Sequence, residues 1–256
     1  MNAERFALAV GFAVFAGGAL GLLLRRFVPE RFVTGGAKDM IGAVVGLLTL
    51  LSALVLGLLI WTAYGVYGGQ TVAVQTLAAK VLQLDLAPAD YGPEAKAARL
   101  QLRDGLGKTI DEIWGGNVSN ADFAASNFAA ALHNLRAREG MLAALHPATD
   151  EQTQALAAAK ATVDSISQSR LQMSFALTSP VSIPLVLIVV GWATCLFFGY
   201  GLTSGGGGAS LLAAAVGAVA VASAAYLILD LSSPYSGIFR ASPAPLEQVL
   251  AVMGKE

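Results

Sequence analysis

Apolar and polar residues do not alternate evenly along this chain but are sorted into long blocks. No Asp, Glu, Lys or Arg occurs in residues 6–24, 40–79 or 171–229. A bilayer core takes a helix of about 20 apolar residues, so the first block accommodates one span, the second one long helix and the third two. Backbone amides in lipid must bond within their own segment, which makes helices the economical reading of runs rich in Ala, Leu, Val and Gly. The pattern predicts spans over residues 6–24, 40–67, 181–202 and 209–229. A tight turn through Thr203, Ser204 and four glycines joins the last two.

Between the second and third blocks the rhythm changes. Val74, Leu77, Val81 and Leu84 recur at the spacing of a coiled-coil seam, and so do Leu156, Ala159, Val163, Ile166, Arg170, Met173 and Leu177. The two segments predict a paired stalk that continues the membrane helices outward. Two shorter amphipathic helices are expected between them. One opens near Pro93 with Leu102, Leu106, Ile110 and Ile113 on one face. The other has Asn120 as its cap and Phe128, Leu132, Leu135, Leu142 and Leu145 as its stripe. Thr149 or Asp150 caps the helix that follows. Gly35-Gly36 reads as punctuation, and the seam rhythm resumes beyond Gly68-Gly69.

The fold class expected is therefore an all-α integral membrane protein, with four transmembrane helices and a helical soluble insertion between the second and third. The divisions are a first helix pair (1–69), a soluble domain (70–179), a second helix pair (180–230) and a C-terminal tail (231–256). Small residues form faces on several spans: Ala13, Gly17 and Gly21 on the first, and Ala214, Ala218, Ala222 and Ala225 on the fourth. Such faces let helices approach closely, and their number predicts a homo-oligomer.

Composition sharpens this picture by exclusion. Hydrophobic residues make up 55% of the chain and charged residues 13%, with a mean hydropathy of +0.64, which is not the profile of a soluble domain. A net charge of -1 without a clustered basic face excludes a nucleic-acid partner. The single cysteine, Cys195, allows neither a disulfide framework nor a thiolate metal site and reads as an apolar core residue. His133 and His146 have no Cys, Asp or Glu at a zinc-ligand spacing. No strand-turn-helix context exists for a nucleophile or a dinucleotide. No catalytic residue, metal site or cofactor is expected, and the chain is read as a non-enzyme.

Two features remain as candidate chemistry. Ionisable groups beside membrane spans are the default functional candidates, which singles out Asp230 at the carboxyl end of the fourth span. There the helix dipole disfavours a carboxylate, so it either ends the helix at the interface or binds an ion or locks the tail. On the second span, Gly42, Gly46, Ala53 and Gly57 project as one stripe suited to packing. Val45, Thr49, Ser52, Leu56 and Ile60 form an adjacent stripe. In the pore reading, Thr49 and Ser52 offer hydroxyl donors to an anion, while Leu56 and Ile60 form an apolar constriction that gates by dewetting. In the competing reading both hydroxyls bond to carbonyls one turn earlier and the stripe packs on the first span.

The tail Leu229-Asp230-Leu231-Ser232-Ser233-Pro234-Tyr235-Ser236-Gly237-Ile238-Phe239-Arg240, followed by Ser242-Pro243 and Pro245-Leu246, resembles the closing motif of a bacterial membrane family described as bestrophin-like. Leu54-Val55-Leu56-Gly57-Leu58-Leu59, Tyr91-Gly92-Pro93-Glu94-Ala95 and Trp192 fit it as well. Tyr235 stands where the family tends to have Phe. Ser204 and glycines replace the basic, Pro-containing hairpin that the family often has. The resemblance implies an oligomeric anion channel, by analogy with the pentameric chloride channels that give the family its name. It also implies a bacterial inner-membrane protein with the soluble domain and both termini in the cytoplasm. Charge alone does not choose the side: Arg25, Arg26, Arg31 and Lys38 flank the spans on one side, against Arg5, Lys80, Arg170 and Arg240 on the other. The alternative function is a non-conducting membrane scaffold or sensor whose soluble helices bind a partner protein.

Overall fold

The computed structural model describes residues 3–29, 35–91, 95–116, 118–127, 147–178, 181–205 and 207–253. In chain order the helices are α1 (Ala3–Arg25), α2 (Gly36–Tyr91), α3 (Lys96–Trp114), α4 (120–127), α5 (Asp150–Ala176), α6 (Ile183–Thr203), α7 (Gly208–Leu231) and α8 (Ala244–Val252). The described residues contain no strand. Four helices are long and apolar enough to cross a membrane: α1, the stretch Lys38–Leu86 of α2, α6 and α7. The chain folds into two compact units, one of residues 1–64 and 181–230 and the other of residues 65–180 and 231–256.

In the first unit α1 and α6 lie so close that side chains would not fit between them. A Cβ added at Gly17 would stand 2.8 Å from the Thr194 carbonyl oxygen, and one at Gly21 would overlap the Phe198 carbonyl oxygen. Gly17 opposes Thr194 and Gly21 opposes Gly201, so the two helices run parallel. Gly11 meets Ala222 and Gly18 meets Ala214, which sets α7 antiparallel to α1. Val10, Val14, Ala193, Ala218 and Ala225 fill the space among the three. The small-residue faces of α1 and α7, expected from sequence to let helices approach closely, do so here within one chain.

The second unit is built on both predicted seams. Val74, Leu77, Val81 and Leu84 of α2 share a core with Ala159, Val163, Ile166 and Met173 of α5 and with Leu102, Leu106 and Ile110 of α3. Lys80 Nζ fastens α2 to α5 by donating to the Ser165 carbonyl at 3.2 Å and to Ser169 Oγ at 2.7 Å. Asp85 and Arg99 tie α2 to α3 through two hydrogen bonds of 3.0 and 2.8 Å.

Three local details are decided. Gly68 and Gly69 lie within α2, which runs unbroken for 56 residues. A glycine inside a helix costs only about 1 kcal/mol relative to alanine, and the flanking seam residues outweigh that. The cap of α4 is Ser119, whose Oγ accepts from the Asp122 amide at 3.1 Å; Asn120 is already helical and bonds elsewhere. At α5 the cap is Thr149, which accepts from the Gln152 amide. Pro93, His133, His146 and the stripe from Phe128 to Leu145 lie outside the described residues.

Candidate functional site: the second helix and the tail clasp

The span portion of α2 turns one narrow face inward. Val45, Ser52, Leu59 and Ala63 are buried, a seven-residue recurrence with a four-residue step that follows one side of a helix. A Cβ added at Gly199 would come within 2.6 Å of Val45 Cγ2, which identifies α6 as a helix that this face packs on. Thr49 is exposed, and Leu56 and Ile60 are half-buried at the edge of the same face. The Thr49 hydroxyl donates to the Val45 carbonyl at 2.8 Å, one turn earlier. Ser52 Oγ is buried with no hydrogen-bond partner among the described residues.

The stripe assigned from sequence to packing lies open. Ala53 is exposed, and nothing stands within 4 Å of a Cβ added at Gly42, Gly46 or Gly57. Within one chain it is therefore Val45 and Ser52 that pack, and the Thr49 hydroxyl bonds one turn back as in the competing reading, although the helix met is α6. Only 17% of the apolar window of α2 is buried, against 33% for α1 and for α6, so α2 is the least covered of the four long apolar helices.

Asp230 is buried at the end of α7 and accepts a hydrogen bond from the Tyr226 hydroxyl at 3.3 Å, one turn earlier. The groups seen fastening the tail follow it in sequence. Tyr235 is fully buried, with its ring stacked on Phe123 at 3.9 Å and 9° and edge-on to Trp114 at 5.7 Å and 76°. Its hydroxyl donates to Gln70 Oε1 at 2.9 Å, and Gln70 Nε2 donates to the Met173 carbonyl at 3.1 Å. One phenol thus joins the tail to α2, and through Gln70 to α5. Burial pushes the Tyr235 phenol above its ordinary range, so it stays a neutral donor.

Backbone contacts complete the clasp. Asn120 Nδ2 donates to the Ser232 carbonyl at 2.8 Å, and Trp114 Nε1 donates to the Ala241 carbonyl at 2.7 Å. The Arg240 guanidinium donates to the carbonyls of Gly116 and Tyr235. The Ala241 amide closes the loop onto the Pro234 carbonyl at 2.8 Å, with Gly237 at φ 81°, a left-handed conformation that side chains disfavour. This accounts for the run Ser-Pro-Tyr-Ser-Gly-Ile-Phe-Arg: turn formers shape the loop, an aromatic plugs the core and an arginine gathers free carbonyls. Sequence reasoning singled out Asp230 and missed Tyr235 as the anchor, although an aromatic flanked by Pro and Gly in a specific motif was the available signal.

Four long apolar helices, with no strand among the described residues and one helix largely uncovered, mark a membrane protein. A family model described as Bestrophin-like domain matches residues 10–246, and the chain belongs to the bestrophin-like family. No curated protein and no solved structure matches the chain.

Proposed function

We propose that the protein is a homo-oligomeric anion channel, chloride being the natural ion, with α2 lining the pathway. The observation that carries this reading is the open face of α2: an apolar helix that leaves glycines and a hydroxyl uncovered has surface reserved for something other than its own chain. Copies arranged about an axis would cover the Gly42, Gly46 and Gly57 side and bring Thr49, Leu56 and Ile60 towards the centre, with Val45 and Ser52 backing them from the interior. Leu56 and Ile60 form the constriction and Thr49 supplies the polar approach. Five copies is the number that the family resemblance suggests. The pore face carries no charge, which suits neither a proton relay nor an acidic cation filter.

The unit of residues 65–180 and 231–256 is the water-exposed part in this reading. It holds most of the charged side chains and lies on the cytoplasmic side of a bacterial inner membrane together with both termini. Protease treatment of intact spheroplasts should leave it uncut.

Purified protein in planar bilayers tests conduction. A chloride-selective current is expected, and Leu56→Ala with Ile60→Ala should raise its open probability or weaken its selectivity. A current indifferent to both substitutions removes α2 as the neck. Absence of any current from oligomeric protein leaves the scaffold reading in its place.

A further inference from the structure

Between α1, α6 and α7 the first unit contains a cavity of about 460 Å³. Its floor is apolar, made by Gly18, Leu22, Phe197, Ala214 and Gly217. Its other end is polar. Thr203, Ser204 and Ser210 gather there at the α6–α7 turn, with the Ser204 and Ser210 hydroxyls 2.5 Å apart. A chamber of this size with an apolar wall and a few converging polar groups has the character of a ligand site.

A second, independent observation adds a charge. Arg25 Nη1 is buried and has no hydrogen-bond partner among the described residues. Gly18 and Leu22 line the cavity, and Arg25 follows them at i+7 on the same face of α1. The parallel register of α1 with α6, Gly17 by Thr194 and Gly21 by Gly201, carries Arg25 one turn further, to the level of the serine pair. An arginine that merely reached for the membrane surface would present its nitrogens to water or to headgroups. Here one nitrogen is shielded by protein and still unsatisfied, a state that costs free energy unless an acceptor arrives.

We propose that this groove is a binding site for one anionic phospholipid. Its acyl chain occupies the apolar cavity and its phosphate accepts from Arg25, with the hydroxyls of Ser204 and Ser210 beside it. The medium around these helices supplies both parts of that ligand at high local concentration. An arginine fork matches a phosphate better than it matches any neutral headgroup.

Native mass spectrometry of the detergent-purified full chain, with phosphatidylglycerol or phosphatidylcholine of identical acyl chains added, tests the proposal. Phosphatidylglycerol should be retained in preference to phosphatidylcholine. Arg25→Gln should lower that retention about tenfold, as loss of one charge-assisted hydrogen bond would. Ala213→Phe, which fills the mouth of the groove, should abolish it, whereas Arg26→Gln on the exposed neighbour should change nothing. If either groove variant fails to give a monodisperse particle, the paired Ser204→Ala and Ser210→Ala substitutions must lower retention instead. Equal retention of the two lipids, or retention indifferent to these variants, overturns the site. Displacement of the lipid by inorganic phosphate alone overturns it in favour of a soluble anion. A change only in oligomer mass on Ala213→Phe overturns it in favour of another copy of the chain.

Discussion

The hydroxyl of Tyr235 donates a 2.9 Å hydrogen bond to Oε1 of Gln70, a residue 165 positions earlier. The tyrosine hydroxyl therefore does what a phenylalanine at this position could not, because its oxygen satisfies a buried amide. Tyr235→Phe keeps the ring stack and leaves the Gln70 oxygen unpaired, so unfolding should become easier by about 1–3 kcal/mol. Tyr235→Ala also opens a cavity and should cost about 3–5 kcal/mol. A double-mutant cycle on thermal unfolding in detergent, with Gln70→Leu as the second substitution, should show Tyr235→Phe costing much less once the amide is gone. Equal costs in both backgrounds would mean that the hydrogen bond does not contribute.

The same phenol makes stability fall on the alkaline side. Burial raises its folded-state pKa above the ordinary value of 10.0, so the folded protein holds this proton where the unfolded chain releases it. The contribution is fully present below about pH 10 and is lost as pH rises beyond it. Other tyrosines titrate in that range, so the diagnostic quantity is a difference. The drop in unfolding temperature between neutral pH and pH above about 10 should be smaller in Tyr235→Phe than in the parent. Identical drops would place the alkaline sensitivity elsewhere.

Asp85 and Arg99 form a bidentate pair in which the carboxylate side chain is only 4% exposed and the guanidinium 19%. Arg99→Leu strands a buried negative charge and should destabilise by about 3–5 kcal/mol, whereas replacing both residues by leucine should recover most of that loss. Chemical denaturation monitored by circular dichroism would read both. A double variant as unstable as the single one would mean that packing of the arginine stem, and not the charge, is what matters.

Two glycines in the membrane helices should respond oppositely to alanine. At Gly21 the new methyl would run into the Phe198 carbonyl oxygen, so Gly21→Ala should separate α1 from α6 and lower the unfolding temperature. At Gly57 the methyl meets nothing among the described residues, so Gly57→Ala in an isolated subunit should gain about 1 kcal/mol from helix propensity. Light scattering in mild detergent adds the test of assembly. If the Gly57 face is an intersubunit contact, Gly57→Leu should shrink the particle. An unchanged mass would show that copies do not meet there.

Much of the architecture was legible because its causes are local. Long charge-free blocks located the four apolar helices, since lipid tolerates neither charge nor unpaired backbone. The 3-4 spacing identified Val74, Leu77, Val81 and Leu84, and also Ala159, Val163, Ile166 and Met173, as core residues, all of which are buried. There polar positions contrast with apolar ones, and periodicity carries information. In the span of α2 that contrast is missing. When every face is apolar, hydropathy does not say which one turns inward. Gly42, Gly46, Ala53 and Gly57, a stripe suited to packing, accordingly lie on the side left open within one chain.

Sequence by itself determined that this chain is an all-helical membrane protein, that seams on α2 and α5 pack together, and that its tail carries a specific closing motif. Only tertiary structure decided which partners those segments take. Close approach at Gly17, Gly21 and Gly201 committed α1 to α6, because backbone atoms can touch only where no side chain stands between them. The hydrogen bond of Tyr235 to Gln70, and the close approach of Gly17 to Thr194, join residues far apart along the chain. No local spacing encodes such pairings: they exist only when the helices have found their register, and burial then makes each unmatched polar atom costly.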